Sequence, residues 1–344
     1  MEYRDLADLI RPKISNIFVS LVIVALIWSG VAELGLDVSM KTPEGSLVLG
    51  CSPLANFLHQ YVFDFTSHVG VGISLFLLAI IAAEMVWMNE VYSFIPLRSI
   101  LPAFFFIVVS SLIFRPHFLY AGFFVAMLFV FAMYECFKLC EEGGGSASLT
   151  TFNIGLLFGL SICVSLSTAV FILPLIWTTY QARTLSVRTF IAFLLGLFVP
   201  LLYMFVFLVV TDNLFYLEHY IDTWRLGSGA MWRMISDSTW IYLLSMVVIT
   251  MFALVRVLMF SDHLSIRCSE ETMFICLSYV LSLVVVVISP TDVYLILPMS
   301  IMYASFLLGQ AFSMEYSLLN KVVFGIWSLL SVGYLVFPNY NFLE

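Results

Sequence analysis

The chain has 344 residues, 62% of them hydrophobic and only 10% charged, with a mean hydropathy of +1.07. A soluble domain is about half apolar, so this composition excludes one and points to a polytopic membrane protein. A formal net charge of -8 argues against a nucleic-acid partner, because there is no basic face to neutralise phosphates.

Apolar runs long enough to span a bilayer recur from residue 14 onward, without the ten-residue alternation of barrel strands, so the expected fold is all-α. In chain order the expected spans are residues 14–32, 68–88, 99–114, 117–136, 187–211, 239–260, 272–289, 293–313 and 320–337, with residues 151–182 ambiguous. Residues 14–32 follow Arg4, Arg11 and Lys13 and end in a run that imitates a signal-peptide cleavage site after Ala32. They are read as a retained first span entered from the cytoplasm.

The ambiguous region contains "GLLFGLSICVSLSTAVFILPLIW", residues 155–177, charge-free but interrupted by "SLST". With one crossing, Arg4, Arg11, Lys13, Arg98, Lys138, Arg225 and Arg233 fall on the cytoplasmic side and the other seven cations fall outside. With two crossings, residues 151–165 and 168–182, Arg183, Arg188, Arg256, Arg267 and Lys321 move inside, while Arg225 and Arg233 move out. The balance becomes ten against four. An excess of Lys and Arg in cytoplasmic loops orients membrane proteins, so the double crossing is expected. It implies about eleven transmembrane helices in one domain over residues 1–344, with the N-terminus cytoplasmic and short paired helices whose turn lies within the outer lipid boundary. The preceding pair around "FRPH" is a second tight hairpin, and together the two imply a cavity open to the outer face.

Two outer segments are substantial, residues 33–67 and 212–238. In "SPLANFLHQYVFDF", Leu54, Phe57, Leu58, Tyr61 and Phe65 recur at the spacing of an interfacial helix. In the second, Leu217, Tyr220, Ile221 and Trp224 do the same. On the inside, "EEGGGSAS" at 141–148 is a flexible connector, with no Lys-Ser/Thr to make it a phosphate loop.

Ionisable groups inside the spans are nearly absent. Glu84 lies near the cytoplasmic end of its span beside Trp87 and Asn89, and is read as a hydrogen-bonded end residue rather than a proton relay. Cys136 and Cys140 share a helix face, but no histidine lies near, so buried small side chains are expected and no metal site is identified. The outer face is richer. Glu33 and Asp37 follow the first span, His59 and Asp64 lie on the interfacial segment, Arg115 and His117 cap the first hairpin, and Arg225, Arg233 and Asp292 mark later loops. Carboxylates with arginines at lipid level have the chemistry to deprotonate an acceptor hydroxyl and hold a lipid-linked phosphate.

These pieces, with "LIFRPHFLY" and "SPTDVYLILPMSIMYA", give the chain a pattern similar to the C-type fold of membrane glycosyltransferases that use polyprenyl-phosphate sugars. That resemblance implies a bacterial envelope enzyme, transferase or polymerase, acting on a lipid-linked glycan at the outer leaflet. Glu33 or Asp37 would be the base, and Arg115, Arg225 or Arg233 would hold a polyprenyl-phosphate-linked substrate. The pattern departs from the family in lacking an Asp-Asp or Asp-Glu pair in the first outer loop and a large C-terminal soluble domain. The segments "NEVYSFIPLRSILPAFFFIVVSS" and "RTLSVRTFIAFLLGLFVPLLYMFVFLVVTD" also resemble a family of polytopic inner-membrane proteins of Bacteroidota, some of which carry a β-carotene monooxygenase label. Such an oxygenase needs four iron-binding histidines, and the five present scatter over both faces. Two other expectations stand beside the enzyme: a non-catalytic subunit that positions a membrane or periplasmic protein partner, and a transporter or flippase.

Overall fold

The computed structural model describes residues 68–93, 95, 99–113, 120–142, 147–181, 183–212, 214, 237–260, 265–288, 293–314 and 318–336. In lipid each backbone N–H and C=O must be satisfied within its own segment, and uninterrupted apolar runs answer that requirement as helices. The described helices are α1 (His68–Tyr92), α2 (Leu101–Ile113), α3 (Tyr120–Glu142), α4 (Ala147–Val164), a 3₁₀ turn (Leu166–Phe171), α5 (Ile172–Gln181), α6 (Val187–Val210), α7 (Asp237–Phe260), α8 (Ile266–Ile288), α9 (Val293–Met314) and α10 (Leu318–Val336). Seven stretches, in α1, α3, α4, α6, α7, α8 and α9, are long and apolar enough to cross a membrane, and α2 and α10 carry shorter apolar ones. The expected first span, residues 14–32, lies outside the described residues.

The helix α9 is the hub. Of its membrane-length stretch 94% is buried, against 22% for α6 at the periphery, and it is packed by α2, α3, α7 and α8. Aromatic rings close the gaps. Phe105 of α2 lies 5.6 Å from Phe312 and 4.8 Å from Trp327, joining α2 to α9 and α10. Phe171, in the 3₁₀ turn, lies between Phe129 of α3 at 5.1 Å and Tyr303 of α9 at 6.4 Å.

The direction of the ambiguous region follows from glycines on α4 and α6. A Cβ added to Gly155 would lie 2.2 Å from the Phe193 carbonyl oxygen, and one on Gly196 would lie 2.1 Å from that of Phe152. Four residues further along α4, a Cβ on Gly159 would meet the Leu197 carbonyl at 2.6 Å and the Pro200 ring at 3.0 Å. Positions on α6 therefore advance with positions on α4: the two helices are parallel and lie backbone against backbone. Small residues allow this approach, and Cα–H···O contacts accompany it. Two parallel helices require the chain between them to run back. The return limb has the right length, because six 3₁₀ residues and ten α residues rise about 27 Å together, and the 18 residues of α4 rise about 27 Å.

The reversal expected near Ser167 is thus present, with two differences from the sequence reading. The break falls at Ser165, which is extended, where the first crossing was expected to end, but the return begins as a 3₁₀ turn rather than as a second α-helix from residue 168. The Ser165 carbonyl accepts both the Thr168 N–H at 3.1 Å, the first bond of the 3₁₀ turn, and the Thr168 hydroxyl at 2.7 Å, which fastens the start of the return limb. The return limb also leaves α4 instead of pairing with it along its length, since α5 packs on α3 and α8.

Contacts between helix ends show which termini share a level. Asn153 Nδ2 of α4 donates to Glu135 Oε1 of α3 at 3.3 Å. The Arg267 guanidinium at the start of α8 lies 5.3 Å from the ring centre of Tyr92, at the end of α1, and the Tyr92 hydroxyl donates to the Tyr134 carbonyl of α3. Gln310 Nε2, late in α9, donates to Thr272 Oγ1, early in α8, at 2.9 Å. Asn320 of α10 accepts from Arg256 of α7 and donates through Nδ2 to the Ala311 carbonyl of α9. At the opposite end, Thr239 and Tyr242 of α7 pair with Tyr334 and Ser331 of α10. With α6 parallel to α4, every lysine and arginine position among the described residues (Lys138, Arg183, Arg188, Arg256, Arg267 and Lys321) falls at one end of the bundle.

Gly155→Ala and Gly196→Ala are each expected to destabilise the protein by about 1–3 kcal/mol, the usual penalty for overpacking an interior. Unfolding temperatures in detergent read this directly. Gly325→Ala, where an added Cβ meets nothing within 4 Å, should leave the temperature unchanged or higher, and equal losses at all three positions would contradict the packing.

Candidate functional site

All nine residues that the sequence nominates, Glu33, Asp37, His59, Asp64, Arg115, His117, Arg225, Arg233 and Asp292, lie outside the described residues. The helix termini flanking most of them are described. His68 begins α1, Ile113 and Tyr120 bracket Arg115 and His117, Val210 and Asp237 bracket Arg225 and Arg233, and Ile288 and Val293 bracket Asp292. These seven termini all sit at the end of the bundle opposite the cations.

At the basic end the structure assembles a polar cluster that sequence reasoning missed. Helix α8 begins at Ile266, a turn and a half before the expected start at residue 272, and so draws "RCSEE" into the bundle. Glu271 is 1% exposed and receives Arg267 Nε at 3.0 Å from one turn earlier, while the Arg267 side chain is 35% exposed. The guanidinium covers the Tyr92 ring, a cation–π contact with an aromatic group that also packs at 5.6 Å on both Tyr134 and Phe137. Beside it, Gln310 and Thr272 are both buried and joined by their hydrogen bond. The arginine-to-glutamate spacing of four was the available signal. Two acids and an arginine within five residues nevertheless have the composition of a span boundary, which hides the pair in the sequence.

Asn89 is buried and fastens the turn between α1 and α2: Nδ2 donates to the Ser99 carbonyl and Oδ1 accepts from the Ile95 amide, each at 3.1 Å. It does not partner Glu84. Glu84 is half-buried on α1, two turns before the basic end, and its Oε1 is shielded from solvent with no hydrogen bond to a described residue. Ionised carboxylates inside a bilayer are expensive, so a partner for this oxygen would stabilise α1. Among the described residues no group of three or more His, Cys, Asp or Glu is arranged to hold a metal, and Cys136, Cys140, Cys163, Cys268 and Cys276 are free thiols.

A partly exposed arginine side chain pairs with a buried carboxylate, and an aromatic ring lies against the guanidinium. No family model, curated protein or solved structure matches the chain.

Arg267→Ala leaves a buried carboxylate without its cation and is expected to cost about 3 kcal/mol, the low end of the range for breaking a buried pair, because Arg267 is partly exposed. Glu271→Gln leaves a cation that can hydrate, so its loss is smaller. In thermal unfolding the double variant should lose less than the sum of the two; a larger loss from Glu271→Gln than from Arg267→Ala would refute this account of the pair.

Proposed function

We propose that this multi-pass membrane protein lies in a bacterial inner membrane with its basic end in the cytoplasm, and that it works on a lipid-linked glycan at the opposite, periplasmic face. The observation that supports the orientation is the gathering of all described lysine and arginine positions at one end, the asymmetry that cytoplasmic loops carry in membrane proteins. The described helix termini that flank the segments bearing the nominated residues lie at the other end, which supports reading those segments as periplasmic. Glu33 or Asp37 serves as base for an acceptor hydroxyl, and Arg115, Arg225 and Arg233 hold the phosphate of a polyprenyl-linked donor, with His59, Asp64, His117 and Asp292 lining the substrate. The reading draws on the resemblance to C-type glycosyltransferases and to the Bacteroidota inner-membrane family, and on the chemistry of carboxylates beside arginines at lipid level.

The alternative is a non-catalytic subunit that holds an envelope-assembly or secretion partner. The two readings part on chemistry. Glu33→Gln, Asp37→Asn and Arg115→Gln are made singly in the native host, and envelope glycans are profiled alongside the amount of protein in the membrane. Removal of a general base should lower product formation by about 100-fold or more at unchanged protein level. Unchanged glycans in all three variants would eliminate the enzyme and leave the subunit.

A further inference from the structure

The turn between α5 and α6 places two arginines where local preferences oppose them. Helix α5 ends in paired reverse hydrogen bonds: the Thr184 N–H donates to the Thr179 carbonyl at 3.2 Å, and the Arg183 N–H to the Tyr180 carbonyl at 3.1 Å. This termination puts residue 183 in the left-handed region, at φ 52, a conformation that favours glycine. An arginine stands there instead. Arg188 lies in the first turn of the 24-residue α6, where the positive end of the helix dipole disfavours a cation. Both side chains are exposed, and neither has a hydrogen bond, ion pair or ring contact to a described residue.

The turn itself is closed and well satisfied. The Thr189 hydroxyl donates to the Thr184 carbonyl at 2.9 Å, the Ser186 N–H donates to Thr189 Oγ1 at 2.9 Å, and the Thr189 N–H donates to Ser186 Oγ at 3.2 Å. The two guanidinium arms are therefore free groups on a fixed base. Below them the surface is apolar: Ile191 and Leu195 follow Arg188 at three and seven residues, on one exposed face of α6, and Trp177 and Tyr180 are exposed near the end of α5.

We propose that Arg183 and Arg188 bind the phosphate of an anionic phospholipid whose acyl chains lie along the exposed faces of α5 and α6. Two uncompensated cations above a lipid-facing apolar stripe match a headgroup with net negative charge. A zwitterionic lipid brings its own ammonium and gains less, and a soluble phosphate makes no use of the stripe. Where residues disfavoured locally persist in a well-formed turn, their side chains answer to something beyond the fold. This inference does not depend on the glycan reading, because it concerns the opposite end of the bundle and no nominated catalytic residue.

The test uses the full chain in mixed micelles of phosphatidylglycerol and phosphatidylcholine, with retained lipids counted by native mass spectrometry. The unaltered protein should retain phosphatidylglycerol preferentially, and Arg183→Gly and Arg188→Gln should each lower that preference about five-fold, the value of one cation near an anionic surface. Arg183→Gly relieves the left-handed position, so its unfolding temperature should not fall, which separates lost binding from lost folding. Lys138→Gln, elsewhere at the basic end, should leave the preference intact. An unchanged preference in the double variant, an equal loss from Lys138→Gln, or displacement of phosphatidylglycerol by inorganic phosphate would each overturn the proposal.

Discussion

Helices can lie backbone against backbone only where hydrogen alone separates them, and Gly155, Gly159 and Gly196 create that condition between α4 and α6. The contact holds a peripheral helix that has little else to rest on. It also sets a direction. Once α4 and α6 are parallel, the limb between them has to descend, and the sidedness of every helix after it follows. Lipid tails are as apolar as leucine side chains, so burial of apolar surface does little to join these helices in the membrane. Close packing of this kind is what remains.

The reversal sorts the molecule into two ends. At one end a buried carboxylate is neutralised by Arg267, Asn320 ties three helices together, and the exposed Arg183 and Arg188 meet the surroundings. At the other end the chain leaves the described helices toward the segments rich in carboxylates, histidines and tryptophans. Between the ends the interior is closed by aromatic rings around α9, and most of its buried serine and threonine hydroxyls donate to carbonyls three or four residues back. Such back-bonding satisfies a hydroxyl in lipid without a tertiary partner.

Much of this architecture was legible in the sequence, for a physical reason. Apolar runs stop where charges begin, so α6 at Val187–Val210 and α9 at Val293–Met314 fall within a residue of the expected 187–211 and 293–313. The reversal was legible because "SLST" at residues 165–168 interrupts an apolar run and because cations are counted by side. What failed was what depends on neighbours. The "GLLFG" spacing is the sequence form of the α4–α6 contact, yet it carries no partner's name, and Gly196 lies forty residues away. The start of α8 was set too late because a charged pair reads as solvated until a tyrosine from α1 is seen to cover it. The nominated catalytic residues came from polar segments outside the described helices, where composition indicates chemistry without geometry.

The most direct test of the central claim is the sidedness of the chain before and after the reversal. In a cysteine-free background, Ser146→Cys in the connector before α4, Leu185→Cys in the exposed turn before α6, and Asp212→Cys beyond its end are challenged in intact vesicles with a membrane-impermeant maleimide. The account predicts that positions 146 and 185 react from the same face and position 212 from the other. Modification of 146 and 185 from opposite faces would mean a single crossing between them, and the parallel pairing of α4 with α6 would be wrong.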